Sequence, residues 1–387
     1  MADKIVKENW ISNFTLVGRP VINDYTYKID ERSEKSAWIY NSLNLGIDCG
    51  EKHGTVYAEM MGGYSDEREN FIYVHGKNDD DGDDFTNRFT VDWDDRFNDN
   101  ILEEIGDLCF LTIGLEKTDK GKTYYKKFLS AYDAIAYIKE HLTSDMVVNV
   151  RGRLQYSMWN DKVQVRKTID SIALSSVDDP SKYRSNFTQS ILLDKDSASL
   201  KNIDKDKGVM YVDARVLDYL KEYNGHEVKG QFPYNTQFEF PMPLDNQEQC
   251  KKIMDKLFKV KKGITQITFE GDFIEGGATV TATLDDISED IKELIGILYT
   301  EEEALARCSS NGSREKRMVL RKPHTKLIGE DKVLQMHKFE NQYDEEDLVL
   351  DCMMNDNTET PWDDDETDVN VAESTDAGND MDWLDSL

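Results

Sequence analysis

The 387-residue sequence has no apolar run long enough to cross a membrane as a helix, and its first ten residues, MADKIVKENW, lack the apolar core of a secretion signal. Neither export nor a membrane partner is expected, which points to the cytoplasm. Cysteine is scarce: Cys49, Cys109, Cys250, Cys308 and Cys352 are odd in number, scattered and without a C-x-x-C. That spacing fits reduced thiols and offers neither a disulfide framework nor a zinc site. The six histidines show no H-E-x-x-H pattern, and His53, His75 and His226 read as surface residues in turns or at strand starts. No G-x-x-x-x-G-K-[ST] loop is present and no G-x-G-x-x-G follows a strand; Gly276-Gly277 fits a hairpin turn. The run DDDGDD at 79–84 lacks the bidentate Glu that completes an EF-hand loop. Carboxylates are so abundant that no pair of them marks a catalytic dyad. No catalytic residue, metal or cofactor is expected, and the protein does not read as an enzyme.

Positive charge is missing from one whole region. Residues 341–387 hold 17 acids and no Lys or Arg, which is more than half of the net −30 carried by the chain. The remaining body is still acidic, which argues against duplex-DNA binding by bulk charge alone, so any nucleic-acid site has to be a local basic face. The length allows two ordinary domains, each with its own core, or three small ones.

What is present is strand character. Residues 13–27 read as strand, turn at Pro20 and strand; 37–48 and 54–62 follow as strands, and 107–115 as another. The polar, acidic stretch 64–88 reads as a mobile inserted loop. Residues 130–142 have apolar Ala131, Ile135, Ile138 and Leu142 at helical spacing, with Ser130 as N-cap. The hairpin at 147–174 is the most informative stretch. In its first strand Val148, Val150, Gly152 and Leu154 share one face, while Asn149, Arg151, Arg153 and Gln155 share the other. In its second strand Val163, Val165 and Lys167 oppose Gln164, Arg166 and Thr168. This predicts one apolar face and one face bearing Arg151, Arg153 and Arg166 around Tyr156 and Trp159.

The same order then restarts after a linker at 177–185. Asn186-Phe187-Thr188 echoes Asn13-Phe14-Thr15, and strands are expected at 209–217, 226–233 and 236–240 before a helix at 247–258. Ile267, Phe269, Gly271 and Phe273 line up with Val148, Val150, Gly152 and Leu154, and 280–287 with 165–172. Where the first copy has Arg151 and Arg153, the second has Glu270 and Asp272, so this face of the second copy is expected to repel a nucleic-acid strand. An acidic helical segment at 288–306 precedes the basic run SREKRMVLRKPHTK at 313–326, which reads as an arm on nucleic acid or on the acidic tail, or as a solvated linker. The composition of 341–387 predicts disorder, with the apolar tip Trp383, Leu384 and Leu387 at its end.

The V-x-V-x-G-x-L strand at 148–154, with the aromatic and basic hairpin it opens, resembles a strand pair of bacterial and phage single-stranded DNA-binding proteins, across about 30 residues. The resemblance implies a mainly β chain of tandem OB-fold five-stranded barrels, each with one helix: a first domain at 1–176, a second at 186–290, a helical and basic linker at 291–340, and a disordered acidic tail at 341–387. It also implies single-stranded DNA as ligand, without strong sequence preference, in phage replication or recombination and hence in a host cytoplasm. Trp38, Tyr40, Tyr57, Tyr156 and Trp159 are then the stacking candidates, and Arg151, Arg153, Lys162 and Arg166 the phosphate contacts. Trp383, Leu384 and Leu387 would recruit replication or recombination proteins, although the tip is not the family's Ile-Pro-Phe ending. The rival readings are a β-rich interaction or virion structural protein, and a DNA-mimicking inhibitor. Oligomeric state is open.

Overall fold

The computed structural model describes residues 10–348, apart from 161, 224–225, 277–286, 293–294, 298–299, 301–314, 329–331 and 345. The chain opens with β1 (Ser12–Val21), β2 (Tyr27–Arg32), β3 (Trp38–Asp48) and β4 (Thr55–Ser65). Two hairpins follow, β5 (Phe71–Lys77) with β6 (Asp83–Asp92) and, after the short helix α1 (Asp99–Leu102), β7 (Leu111–Lys117) with β8 (Thr123–Phe128). Helix α2 (Ala131–His141) leads into β9 (Val148–Trp159) and β10 (Lys162–Leu174).

These strands close a ring in the order β1-β3-β4-β10-β9-β1, antiparallel except where β4 meets β10 at Glu59 and Thr168. A closed five-stranded barrel with one helix between its third and fourth strands is the arrangement of an OB-fold. Strand alternation builds its core: Val148, Val150, Leu154 and Tyr156 of β9 point inward, while Arg151, Arg153 and Gln155 are exposed. Helix α2 forms where expected. The Ser130 hydroxyl caps it by accepting from the Tyr132 N–H at 3.1 Å, and Ala134, Ile135, Tyr137 and Ile138 form its buried stripe. Gly62 of β4 lets the helix start come close, since a Cβ there would lie 2.8 Å from that of Ala131.

The stretch 64–88 is not a loop. It contains the end of β4, all of β5 and the start of β6, which pair from Phe71↔Asp92 to Lys77↔Asp83 over a small core of Val74, Val91, Ile105 and Phe110. Most of its acids are exposed, and their charge masks the alternation of Ile72, Val74 and Gly76 in the sequence.

The second half has β11 (Arg184–Leu193), β12 (Ala198–Asp204), β13 (Val209–Tyr223) and β14 (His226–Pro241). Next come α3 (Gln247–Ile253), continued by a π turn over Met254–Phe258, then β15 (Ile264–Gly276), the four-residue α4 (Glu289–Lys292) and β16 (Glu315–Pro323). The short β17 (Thr325–Ile328), β18 (Val333–Met336) and β19 (Lys338–Tyr343) end the described chain. The expected strand at 236–240 is the end of the long β14, and the one at 280–287 falls almost wholly outside the described residues.

A second ring of pairings runs β11-β13-β14-β16-β15-β11, with β14 and β16 its parallel neighbours. Its closing strand is the basic run read from sequence as an arm or linker. Val319 and Leu320 are buried, and the cations lie against acids of neighbouring strands: Arg317 to Glu239 at 3.3 Å, Arg321 to Asp272 at 3.0 Å and Lys322 to Glu270 at 3.0 Å. The second ring thus reaches Pro323 rather than ending near residue 290.

The rings share one continuous sheet through β1 and β11, which pair antiparallel from Ser12↔Gln189 to Val17↔Arg184. Phe14 faces Phe187, so the pairing is symmetric about the two echoing triplets. Phe14 lies opposite Gly152, and Phe187 opposite Gly271. A Cβ on Gly152 would sit 1.9 Å from the Thr168 carbonyl oxygen, and one on Gly271 2.2 Å from Phe187 Cζ. Both glycines are required by the aromatic and backbone packed over them.

Candidate nucleic-acid interface

Alternation along β3 and β4 turns Leu43, Leu45, Ile47, Val56, Ala58 and Met60 into the barrel and leaves Trp38, Tyr40, Ser42, Asn44, Tyr57, Glu59 and Met61 outside. Trp38 and Tyr40, two residues apart on the same face, stack with centroids 4.9 Å apart and planes 17° apart. The Tyr57 ring lies beside Gly46, where a Cβ would be 3.1 Å from Tyr57 Cε1. Tyr40 opposes Gly63 and Tyr57 opposes Gly46, six residues further along β3, which is about 20 Å at the rise of a strand. The three aromatics therefore mark the two ends of one outer face and do not form one stack.

The cations are less free than their sequence positions implied. Arg153 holds Asp170 through two hydrogen bonds of 3.0 Å, a forked pairing with the next strand. Arg166 Nε lies 3.8 Å from Glu59 Oε1 on the aromatic face, both about one-third exposed. Burial raises the Glu59 carboxyl above its usual range, opposed by Arg166 and Lys167. Arg151 is exposed and contacts Asn149 Oδ1 at 3.4 Å. Arg151 and Arg153 lie on β9, separated from β4 by β10 and from β3 by β1, so they occupy a different side of the barrel from Trp38 and Tyr40. Trp159 is half exposed at the end of β9, with exposed Lys162 across the turn as its register partner.

Tyr156 is not a surface aromatic. It is 3% exposed, its N–H donates to Asp218 at 2.7 Å and its hydroxyl donates to Gln189 at 3.2 Å. Period 2 from Val150 puts it on the core face, and burial pushes its hydroxyl's pKa upward. Glu270 and Asp272 are not bare repelling charges either. Asp272 accepts from Asn186 at 2.6 Å and pairs with Arg321 and, from the first ring, with Lys52 at 3.3 Å; Glu270 pairs with Lys322 and with His324 at 2.9 Å.

No family model matches the chain, and no curated protein matches it. Among solved structures it is similar to the single-stranded DNA binding protein from Thermus aquaticus, as a deletion mutant (10% identity, TM-score 0.30, covering 70% of this chain and 89% of that one) and as the wild type (10%, 0.31, 69% and 87%).

The hairpin of β7 and β8 escaped the sequence reading, which passed from a strand at 107–115 straight to the helix. It carries Lys117, Lys120, Lys122, Lys126 and Lys127 against Glu116 and Asp119, with Tyr124 51% and Tyr125 53% exposed. Strand β7 runs parallel to β10 at Thr112–Gly114, and β8 is the edge of the large sheet. Lys126 Nζ lies 4.8 Å from the Tyr137 ring centroid and Lys127 pairs with exposed Asp107 at 2.8 Å. The signal was there to read: GKTYYKKF interleaves aromatics and lysines. The first residues of the acidic tail are folded, with Tyr343 and Leu348 buried beside Leu192, Leu217 and Ile264. Trp383, Leu384 and Leu387 lie outside the described residues. Among the described residues no helix is long and apolar enough to cross a membrane, and no group of His, Cys, Asp and Glu is arranged to hold a metal.

Proposed function

We propose that the chain is a single-stranded DNA-binding protein of two tandem OB barrels, which holds its ligand by base stacking and phosphate contacts without strong sequence preference. The observation that carries this reading is the set of outward-facing, partly exposed aromatics on the first barrel. OB-folds bind oligonucleotides on the face of their second and third strands and in the loops flanking it. Those strands here are β3 and β4, with Trp38, Tyr40 and Tyr57 outside, and the turn between the fourth and fifth strands is flanked by Trp159 and Lys162. The β7–β8 hairpin extends the surface with Tyr124, Tyr125 and its lysines. The repeated strand order and the symmetric β1–β11 pairing support the tandem arrangement.

On this reading the protein acts in phage replication or recombination, its acidic tail competes with DNA for the cationic surfaces, and Trp383, Leu384 and Leu387 engage partner proteins. Truncation after Leu348 then tightens binding to single strands at low salt, as titration with a fluorescent oligonucleotide measures; an unchanged affinity and salt slope speak against competition. A second reading, a β-rich interaction or virion structural protein, is favoured by one observation: Arg153 and Arg166 already face carboxylates. Trp38→Ala with Tyr40→Ala separates the two. Loss of two stacked bases, at about 1–3 kcal/mol each, weakens DNA binding at least tenfold, whereas an interaction protein shows no DNA binding to lose.

A further inference from the structure

Residues 251–262, KKIMDKLFKVKK, carry six lysines and one acid, a local excess of positive charge in a chain of net −30. They span the end of α3, the π turn and the chain leading to β15. Beside them runs β12, the edge strand of the large sheet, with β13 its one strand partner among the described residues. Between β12 and the π turn lies a groove of about 640 Å³, and sites of about 300–1,000 Å³ are the size that holds ligands. Its lining includes Leu200 and Leu244, 49% and 39% exposed, with Ile203, Met254 and Val260 partly buried. Apolar side chains scattered singly need no explanation, but these line one concave surface. Phe258 lies beneath them, 2% exposed and stacked on Phe269 with planes 9° apart, so its ring offers no face to a nucleic-acid base. The charged rim is Lys195, Lys251 and Lys259 against Asp255, which Lys259 holds at 3.1 Å. Lys195 reaches Asp196 only at 3.9 Å, with both side chains at least 80% exposed, a pair that water screens.

We propose that this groove on the second barrel holds the segment Met381–Leu387 of the same chain, with Trp383 and Leu384 on its apolar lining and Asp382 and Asp385 against its lysines. The segment, MDWLDSL, sets apolar residues between aspartates and belongs to a region with no Lys or Arg, so it complements the groove in both charge and polarity. The described chain also ends close by. Leu348 is buried beside Leu192, and Leu192 precedes Lys195 of the rim by three residues, about 10 Å of extended chain. Met381 lies 33 positions beyond Leu348, a length that spans up to about 110 Å, so reach does not limit the contact. Tethering sets the effective concentration of the segment on the order of millimolar, enough to fill a groove of modest affinity. The proposal goes beyond the DNA-binding reading and stands whether or not the chain binds DNA. A partner protein that engages Trp383 and Leu384 has to take them from this groove.

The test places the photocrosslinking residue p-benzoylphenylalanine at position 383 of the full-length chain, irradiates it without DNA, and maps the adducts by mass spectrometry. Capture is expected within 198–203 and 244–260, at a yield independent of protein concentration. Lys251→Glu/Lys259→Glu and, separately, Leu244→Ser are expected to cut that yield at least fivefold with an unchanged circular dichroism spectrum, since all three side chains are exposed. No capture, capture on the β3–β4 face or the β7–β8 hairpin, or a yield that rises with concentration, the mark of a second copy, overturns the proposal. So does an unchanged yield in Lys251→Glu/Lys259→Glu together with weaker binding of a dT oligonucleotide, which would make the groove a nucleic-acid site.

Discussion

Lys167 of β10 and Glu275 of β15 form an ion pair across the two rings, Nζ to Oε1 2.5 Å, with side chains only 7% and 8% exposed. The ammonium also lies 4.7 Å from the Phe273 ring centroid, so little water reaches either group. The attraction and the desolvation of such a pair nearly cancel, but removing one member strands the other charge in apolar surroundings at a cost of about 3–5 kcal/mol. Set against a total stability of about 5–15 kcal/mol, Lys167→Met alone is expected to shift the unfolding midpoint strongly. Glu275→Leu alone is expected to do the same from the other side. The double variant Lys167→Met/Glu275→Leu leaves no buried charge and is expected to recover most of the loss. Urea unfolding of all four proteins, followed by far-UV circular dichroism, gives the cycle. A coupling energy of about 2 kcal/mol or more supports the buried bridge. Single losses below about 1 kcal/mol that simply add would refute it, because they would mean both side chains find water.

Gly271→Ala puts a methyl 2.2 Å from Phe187 Cζ and 2.5 Å from the Val319 carbonyl oxygen, and is expected to lower stability by about 1–3 kcal/mol; an unchanged melting temperature contradicts the packing. Burial pushes His337 down to about 4, helped by Lys326 and His324, while its Nδ1 holds Thr268 at 2.7 Å. The unfolded chain then binds the proton more readily, so this contribution is complete above about pH 6.5 and is lost as pH falls toward 4, at about 1–3 kcal/mol. Urea midpoints across that window should fall, and less so in His337→Gln; equal slopes would count against it. Tyr156→Phe is expected to leave DNA affinity within about twofold, because the ring is core, whereas Trp159→Ala weakens it about 5- to 150-fold.

Strand alternation made the first barrel legible, and it did so best where one face is wholly buried, as in β3, β4 and β9. It failed where charge sits on the outer face of a real strand. β16 reads as a basic linker because its lysines and arginines dominate, yet its partners Glu239, Glu270 and Asp272 come from strands distant in sequence. The β5–β6 hairpin was hidden in the same way by its aspartates. The site residues were legible as types and not as positions: Trp38 and Tyr40 share a face, but Arg153 is committed to Asp170 and Tyr156 to the core.

The most direct test is binding of the full chain to a fluorescent dT oligonucleotide at low and moderate salt, with a duplex control. Tight, salt-sensitive, single-strand-selective binding that Trp159→Ala and Arg151→Glu both weaken is the predicted result. No binding, or equal affinity for duplex, even after truncation at Leu348, would contradict the account and leave protein interaction as the function of this surface.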